Sequence, residues 1–226
     1  TWTLYLLFVL HPEWLDKVRA EVESVFMAGT TPGGSDGAGG GGECGRANVS
    51  ERLLTNDEVR YGLPVTLACV KEAIRLYPAV SFFSITCAGS EAASVDADGI
   101  VLSNGMRIRR SDTIYTFVEG VLRDQVAFGA DADAFNPQRW AELAVPERSK
   151  ELDLANSTLD LAFGGGPRMC PGMGLAMLEA TAFVAYFSVH FDAQLACPAD
   201  EIFRVLEFTV KSNKMPMSLT PRVLPA

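Results

Sequence analysis

Residues 163–172 constrain the fold more than any other stretch: they read Phe-Gly-Gly-Gly-Pro-Arg-Met-Cys-Pro-Gly, and an apolar run follows to residue 190. That run carries Met173, Leu175, Met177, Leu178, Phe183, Val184, Tyr186 and Phe187. Glu179 and His190 make it too polar for a comfortable membrane span, so it is expected to be a core helix. Cys170 therefore sits on a glycine-flanked loop at a helix start. There the positive end of the helix dipole and the loop N–H groups favour a thiolate, and the glycines let backbone approach a flat ligand. A soft, anionic, singly presented sulfur suits an axial iron ligand. Pro171 has no N–H, which removes one donor to that sulfur and predicts an electron-rich thiolate.

The rest of the chain reads as mainly α with a small β part. Thr1 to Leu10 is apolar nearly all round, as in a buried helix, and stops at His11-Pro12. Pro12 suits the first turn of a second helix, whose Leu15, Val18, Val22, Val25 and Phe26 share one face. Residues 29–45 hold nine of the twenty glycines and read as a flexible insertion; no Gly-Lys-Ser/Thr follows, so they are no phosphate cradle. Thr55-Asn56-Asp57-Glu58 caps a helix marked by Leu67, Val70 and Ile74 that ends near Tyr77-Pro78. Between Ala79 and Val118 the period shortens to that of a small sheet, with Ser103-Asn104-Gly105 as a turn. From Leu122 to Leu161 the chain is expected to be a long ordered coil, with Asp124, Asp131 and Asp133 solvated. His11 and His190 read as helix-end residues, since neither has a metal partner at ligand spacing.

A charge of −9, from 19 Lys and Arg against 28 Asp and Glu, disfavours nucleic acid as a partner. Five widely spaced cysteines and two histidines support neither a zinc site nor a disulfide framework, and indicate a reducing compartment. The apolar opening lacks a basic leader and does not start with Met, so the chain is expected to be part of something longer.

Phe163, Gly166, Arg168, Cys170 and Gly172 match all five specified positions of F-x-x-G-x-R-x-C-x-G, the haem-binding loop of the cytochrome P-450 superfamily, which this chain resembles. Two further motifs agree in order and spacing. Glu72-Ala73-Ile74-Arg75 before Leu76-Tyr77-Pro78 resembles the family's E-x-x-R, and Phe135-Asn136-Pro137-Gln138-Arg139-Trp140 its F-x-P-x-R-W. The opening through His11-Pro12-Glu13 looks like the end of the family's long central helix. The resemblance covers the chain apart from the glycine insertion, so residues 1–226 are expected to form one partial domain, the C-terminal haem-proximal half of the P-450 fold.

The resemblance implies haem b with Cys170 on iron, Arg168 paired with a propionate, Phe163 shielding the sulfur, and Gly166 and Gly172 shaping the loop. It makes Glu72, Arg75 and Arg139 a buried triad that positions the cysteine loop. It implies a monooxygenase with an NADPH-dependent reductase, a small lipophilic substrate touching Val80 to Phe83 and Lys214 to Met217, and membrane attachment through a preceding segment on the cytosolic face of the endoplasmic reticulum. The family's oxygen-activating acid and threonine would lie before Thr1, so no catalytic residue is assigned. Where many relatives carry a propionate-binding Arg and His, this chain has Ile85 or Thr86, and Leu122, which predicts weaker haem retention that Leu122→His should raise. The run Leu102 to Ile108, the approach to Arg123 and residues 129–133 are similar to fatty-acid ω-hydroxylase branches. A non-oxygenase haem-thiolate isomerase or dehydratase, or a non-catalytic fragment, remain the alternatives.

Overall fold

The computed structural model describes residues 2–28, 52–86, 100–109, 111–144, 146–206 and 209–222. The expected glycine-rich insertion, and Cys44 and Cys87, lie outside the described residues. The architecture is mainly α, with four separate two-stranded antiparallel sheets among the described residues.

The first helix, α1 (Trp2–Tyr5), widens into a π-helical turn over Leu6–Leu10 and ends where the His11 N–H reaches Leu6 O at 2.7 Å. Leu4 to Leu7 are buried, whereas Leu10 is exposed. Pro12 then opens α2 (Pro12–Ala28), which buries Leu15, Val18, Val22 and Phe26 as its periodicity predicts. Thr55 and Glu58 form a reciprocal capping box, but the helix they start, α3 (Asn56–Tyr61), is short. The single helix expected here is two. Pro64 donates no hydrogen bond to the preceding turn and starts α4 (Pro64–Leu76) afresh.

The small sheet of the middle segment is likewise two. Strand β1 (Phe82–Thr86) pairs with β4 (Thr113–Phe117) in register Phe82 to Phe117, and β2 (Ile100–Val101) pairs with β3 (Arg107–Ile108) across the expected turn. Gly105 takes φ 82° at that turn, a conformation side chains resist.

Residues 122–161 are not the expected coil. After α5 (Val118–Val121) come α6 (Gln125–Phe128), α7 (Gln138–Leu143) and α8 (Ser149–Asp160), which buries only Ala155, Thr158 and Leu159. So few apolar residues leave little periodicity to read. The last helix, α9 (Met173–His190), packs on α2, α3 and α4. It alone among the described residues has the length and mean hydropathy, 1.3, of a spanning segment. Its buried positions, Thr181, Val184, Ala185, Ser188 and Val189, all lie from its midpoint onward, while Leu175 and Phe183 stay exposed. The expectation of a core helix therefore holds for one half only.

Four C-terminal strands follow. Strand β5 (Phe191–Leu195) pairs with β8 (Met217–Pro221), and β6 (Arg204–Leu206) with β7 (Val210–Ser212). Two apolar clusters organise the whole. One joins α1, the π-helical turn, α2, α4 and α9; the other gathers Val118, Leu122, Phe128, Trp140, Leu143 and Leu159.

Candidate functional site

The cysteine loop closes on itself. Cys170 N donates to Phe163 O at 2.8 Å and Met169 N to Gly166 O at 3.1 Å, while Cys170 O receives Met173 N at 3.4 Å as α9 begins. Gly164 and Gly166 take φ 88° and 64°, so these two positions require glycine. Gly172, at φ −87°, does not; a side chain there would approach Cys170 Sγ to 3.8 Å. The Cys170 side chain is exposed, in contrast to Cys69, which is buried among apolar neighbours that push its thiol pKa up. Arg168 is exposed and pairs with no carboxylate among the described residues. The Phe163 ring packs on the cluster around Trp140 and Leu159.

Behind the loop, Glu72 and Arg75 are fully buried and Arg139 nearly so. Glu72 Oε1 accepts from Arg75 Nη2 at 2.8 Å and from Arg139 Nε and Asn136 N at 3.0 Å each. Its Oε2 accepts from Arg75 Nε at 3.0 Å and Trp140 Nε1 at 3.1 Å. Arg75 also donates to the carbonyls of Leu122 and Ala134 at 3.0 Å each, and to that of Ala132. Arg139 reaches Phe128 O and Asp131 Oδ1, the latter at 3.0 Å. Burial works against the Arg139 charge, but Glu72 and Asp131 outweigh it and raise its pKa. Burial also opposes charge on Asp131, yet hydrogen bonds from Asn136 and Arg139 hold its carboxyl below the usual range. The three residues expected to form a buried triad do meet, and Trp140 and Asn136 complete it.

A cytochrome P450 family model matches residues 1–215. The chain belongs to the cytochrome P450 family. It is 36% identical over 149 residues to the cytochrome P450 monooxygenase cicH of Emericella nidulans, covering 66% of this chain and 27% of that protein. Cytochrome P450 monooxygenase AFLA_114810 of Aspergillus flavus is 33% identical over 197 residues, 87% of this chain and 32% of the relative. The crystal structure of cytochrome P450DA heme domain superposes with TM-score 0.70 over 98% of this chain and 40% of its own, at 21% identity. The P450 chain described here thus spans under a third of the length of these curated relatives.

The P450 family implies haem, and the loop fits one. A side chain at Gly166 or Gly174 would meet no atom within 4 Å, so the backbone borders open space beside an exposed sulfur. No group of three or more His, Cys, Asp or Glu that could hold a metal occurs among the described residues. An iron held by Cys170 would therefore bring its other ligands with it, as a porphyrin does.

Other expectations need correction. Leu122 is fully buried in the second cluster, so an imidazole there would enter apolar surroundings. Ile85 and Thr86, at the other departure from the family, are exposed on β1. Asp124 caps α6 through Val126 N at 2.6 Å, Asp131 serves Arg139, and Asp133 pairs with Arg123 at 3.0 Å, so the three are not merely solvated. His11 closes the π-helical turn as a cap, and His190 stands in the last turn of α9, where Arg19 and Arg222 also donate to the final carbonyls.

Of the segments the resemblance places against substrate, residues 80–83 lead into β1, and Phe83 lies 4.0 Å from where a side chain on Gly164 would begin. Residues 214–217 lead into β8, and Lys214 pairs with Glu201 at 3.3 Å. The residues missed entirely act across long separations. Glu119 accepts from Ser81 Oγ at 3.2 Å and Arg204 Nη2 at 2.7 Å, tying α5, β6 and the turn before β1 together. No local pattern announces such a partner.

Proposed function

We propose that this P450 chain forms the iron-ligating part of a haem-thiolate monooxygenase that inserts one oxygen atom from O2 into an organic substrate. The observation that carries this reading is the exposed Cys170 thiol, set on a self-closed loop with open space beside Gly166 and Gly174. Bound haem b would supply oxygen chemistry, with sulfur donation favouring O–O cleavage. Cys170 presents that sulfur. Arg168, exposed and with no carboxylate partner among the described residues, offers its guanidinium to a haem carboxylate, and Gly166 and Gly172 keep the loop narrow. Phe163 supports the sulfur from the inner side, because its carbonyl holds the Cys170 N–H while its ring sits in the core. The Glu72 network fixes Trp140 in that same core, which makes its role positional.

Electrons would come from an NADPH-dependent reductase and the substrate would be small and lipophilic. Fatty-acid hydroxylation is the finer reading, supported by the run from Leu102 to Ile108. Attachment to the cytosolic face of the endoplasmic reticulum through a further segment belongs to the same proposal.

Reconstitution of the full chain with haem, followed by the reduced carbon-monoxide difference spectrum, tests the reading. The thiolate-type band is expected in the wild type and in Cys197→Ala, and not in Cys170→Ala. The same band in Cys170→Ala, or none in the wild type, overturns it. Oxygen and NADPH consumption by the reductase-coupled protein separates a monooxygenase from an isomerase or dehydratase.

A further inference from the structure

Residues 79–83 are held from two sides. On one, the β6–β7 hairpin reaches Ala79, whose carbonyl accepts from Val210 N at 2.6 Å. On the other, Glu119 in α5 is bonded twice to Ser81: its backbone N donates to Ser81 O at 3.3 Å, and its Oε2 accepts from Ser81 Oγ at 3.2 Å. Arg204 joins the two holds. It stands opposite Ser212 within the β6–β7 hairpin, and both ends of its fork donate to the Glu119 carboxylate, Nη2 at 2.7 Å. Its Nε is buried with no acceptor among the described residues, so the guanidinium depends on that carboxylate for its place. Bidentate pairing of this kind fixes direction as well as distance.

The far end of the segment touches the cysteine loop. Phe83 packs against the same cluster as Phe163, and its ring comes within 4.0 Å of where a side chain on Gly164 would begin. The β1–β4 ladder ends at Phe82 with Phe117, so before that pair the segment relies on the holds at Ala79 and Ser81. Ser81 is buried and lies two residues from Phe83. Two extended residues cover only about 7 Å, so a shift at Ser81 is passed on to the Phe83 ring.

We propose that Glu119 is a positioning residue for ligands of the haem on Cys170: with its charge held by Arg204 it fixes Ser81, and through Ser81 the Phe83 ring at the edge of the cysteine loop, which sets how bulky a ligand is admitted. The proposal rests on the haem reading of Cys170.

The full chain reconstituted with haem and titrated with imidazole and with 4-phenylimidazole, each followed by the Soret shift, tests it. Glu119→Gln keeps an acceptor for Ser81 but removes the charge. It is expected to change the ratio of the two dissociation constants at least about fivefold while that for imidazole stays within about twofold. Arg204→Ala should change the ratio likewise, and Arg204→Lys, which keeps a cation, should bring it back towards the wild type. The reduced carbon-monoxide band should be that of the wild type in all three. Hydrogen exchange in the haem-free chain reads the hold itself: residues 79–83 should exchange about fivefold faster in Glu119→Gln, with residues 64–76 unchanged. A haem-bound Glu119→Gln chain with the wild-type ratio overturns the proposal and leaves Glu119 a stabilising residue only. So does an equal loss of affinity for both azoles, or faster exchange spread over the whole chain. A wild type that takes up no haem overturns the reading of Cys170, and this proposal with it, so the two failures are told apart.

Discussion

Glu72 accepts from five donors while fully buried, and three of them belong to two arginines whose other groups hold the carbonyls of residues 122, 128, 132 and 134. Removing its charge strands two guanidinium groups in a dry site. Glu72→Gln is therefore expected to cost about 3–5 kcal/mol in urea unfolding, the range for breaking a buried ion pair. A cost near that of a surface pair would contradict this account. Leu122→His should destabilise the haem-free chain by about 1–3 kcal/mol in urea unfolding, since its imidazole enters an apolar cluster. Spacing showed only that Glu72 and Arg75 could pair, as surface pairs commonly do; family resemblance made them, with Arg139, a buried triad. Asn136 was illegible because it contributes a backbone N–H, a group that every residue but proline owns.

Among elements, the helix ends rely on charges that are distant in sequence. Glu21 on α2 accepts from Val65 N at 2.7 Å and from Thr66 N and Oγ1 at 2.8 and 2.7 Å, so it caps α4 in the way an N-cap side chain would. At the other polarity, Arg19 Nε meets Ser188 O at 2.9 Å and Arg222 Nη1 meets Val189 O at 3.2 Å, placing two cations at the carboxyl end of α9. Glu21→Gln is expected to lower stability by about 1–2 kcal/mol, read as a fall in melting temperature. Neither arrangement is visible locally, because each partner lies tens of residues away. Strand β5 was not read from the sequence, although Phe191, Ala193 and Leu195 alternate with Asp192 and Gln194, the period of a strand with one covered face. The Glu119 clamp adds a pH dependence. A hydrogen bond from Arg204 above all, then the Arg204 charge and Ser81, keeps the Glu119 carboxyl below its usual range against the effect of burial. Its stabilisation is complete above the ordinary carboxylate pKa and disappears as pH falls through the lowered folded value. Urea midpoints of the wild type and Arg204→Ala should accordingly differ at neutral pH and converge in acid; a constant gap would exclude the clamp as the source.

In the molecule as a whole, α4 lies between the two apolar clusters. Leu63, Cys69 and Val70 at its N-cap and along its length belong to the first and Ala68 to the second, while Ile74 packs against both. Its Glu72 and Arg75 bind the loop segments around residues 122 and 132–136. Helices α1, α2, α4 and α9 were readable because apolar periodicity is local; the division of the interior into two clusters was not, since it depends on which faces meet. Fluorescence from Trp14, which packs on the first cluster, and from Trp140 in the second should report one common unfolding midpoint, tested with each tryptophan replaced in turn by Phe. Two separated midpoints would mean that the clusters melt independently. With one helix serving as a wall to both rooms, a methyl group deleted beneath Val22 or Val189 ought to be felt on the far side, as a change in how readily the Cys170 sulfur reacts with a soluble alkylating reagent.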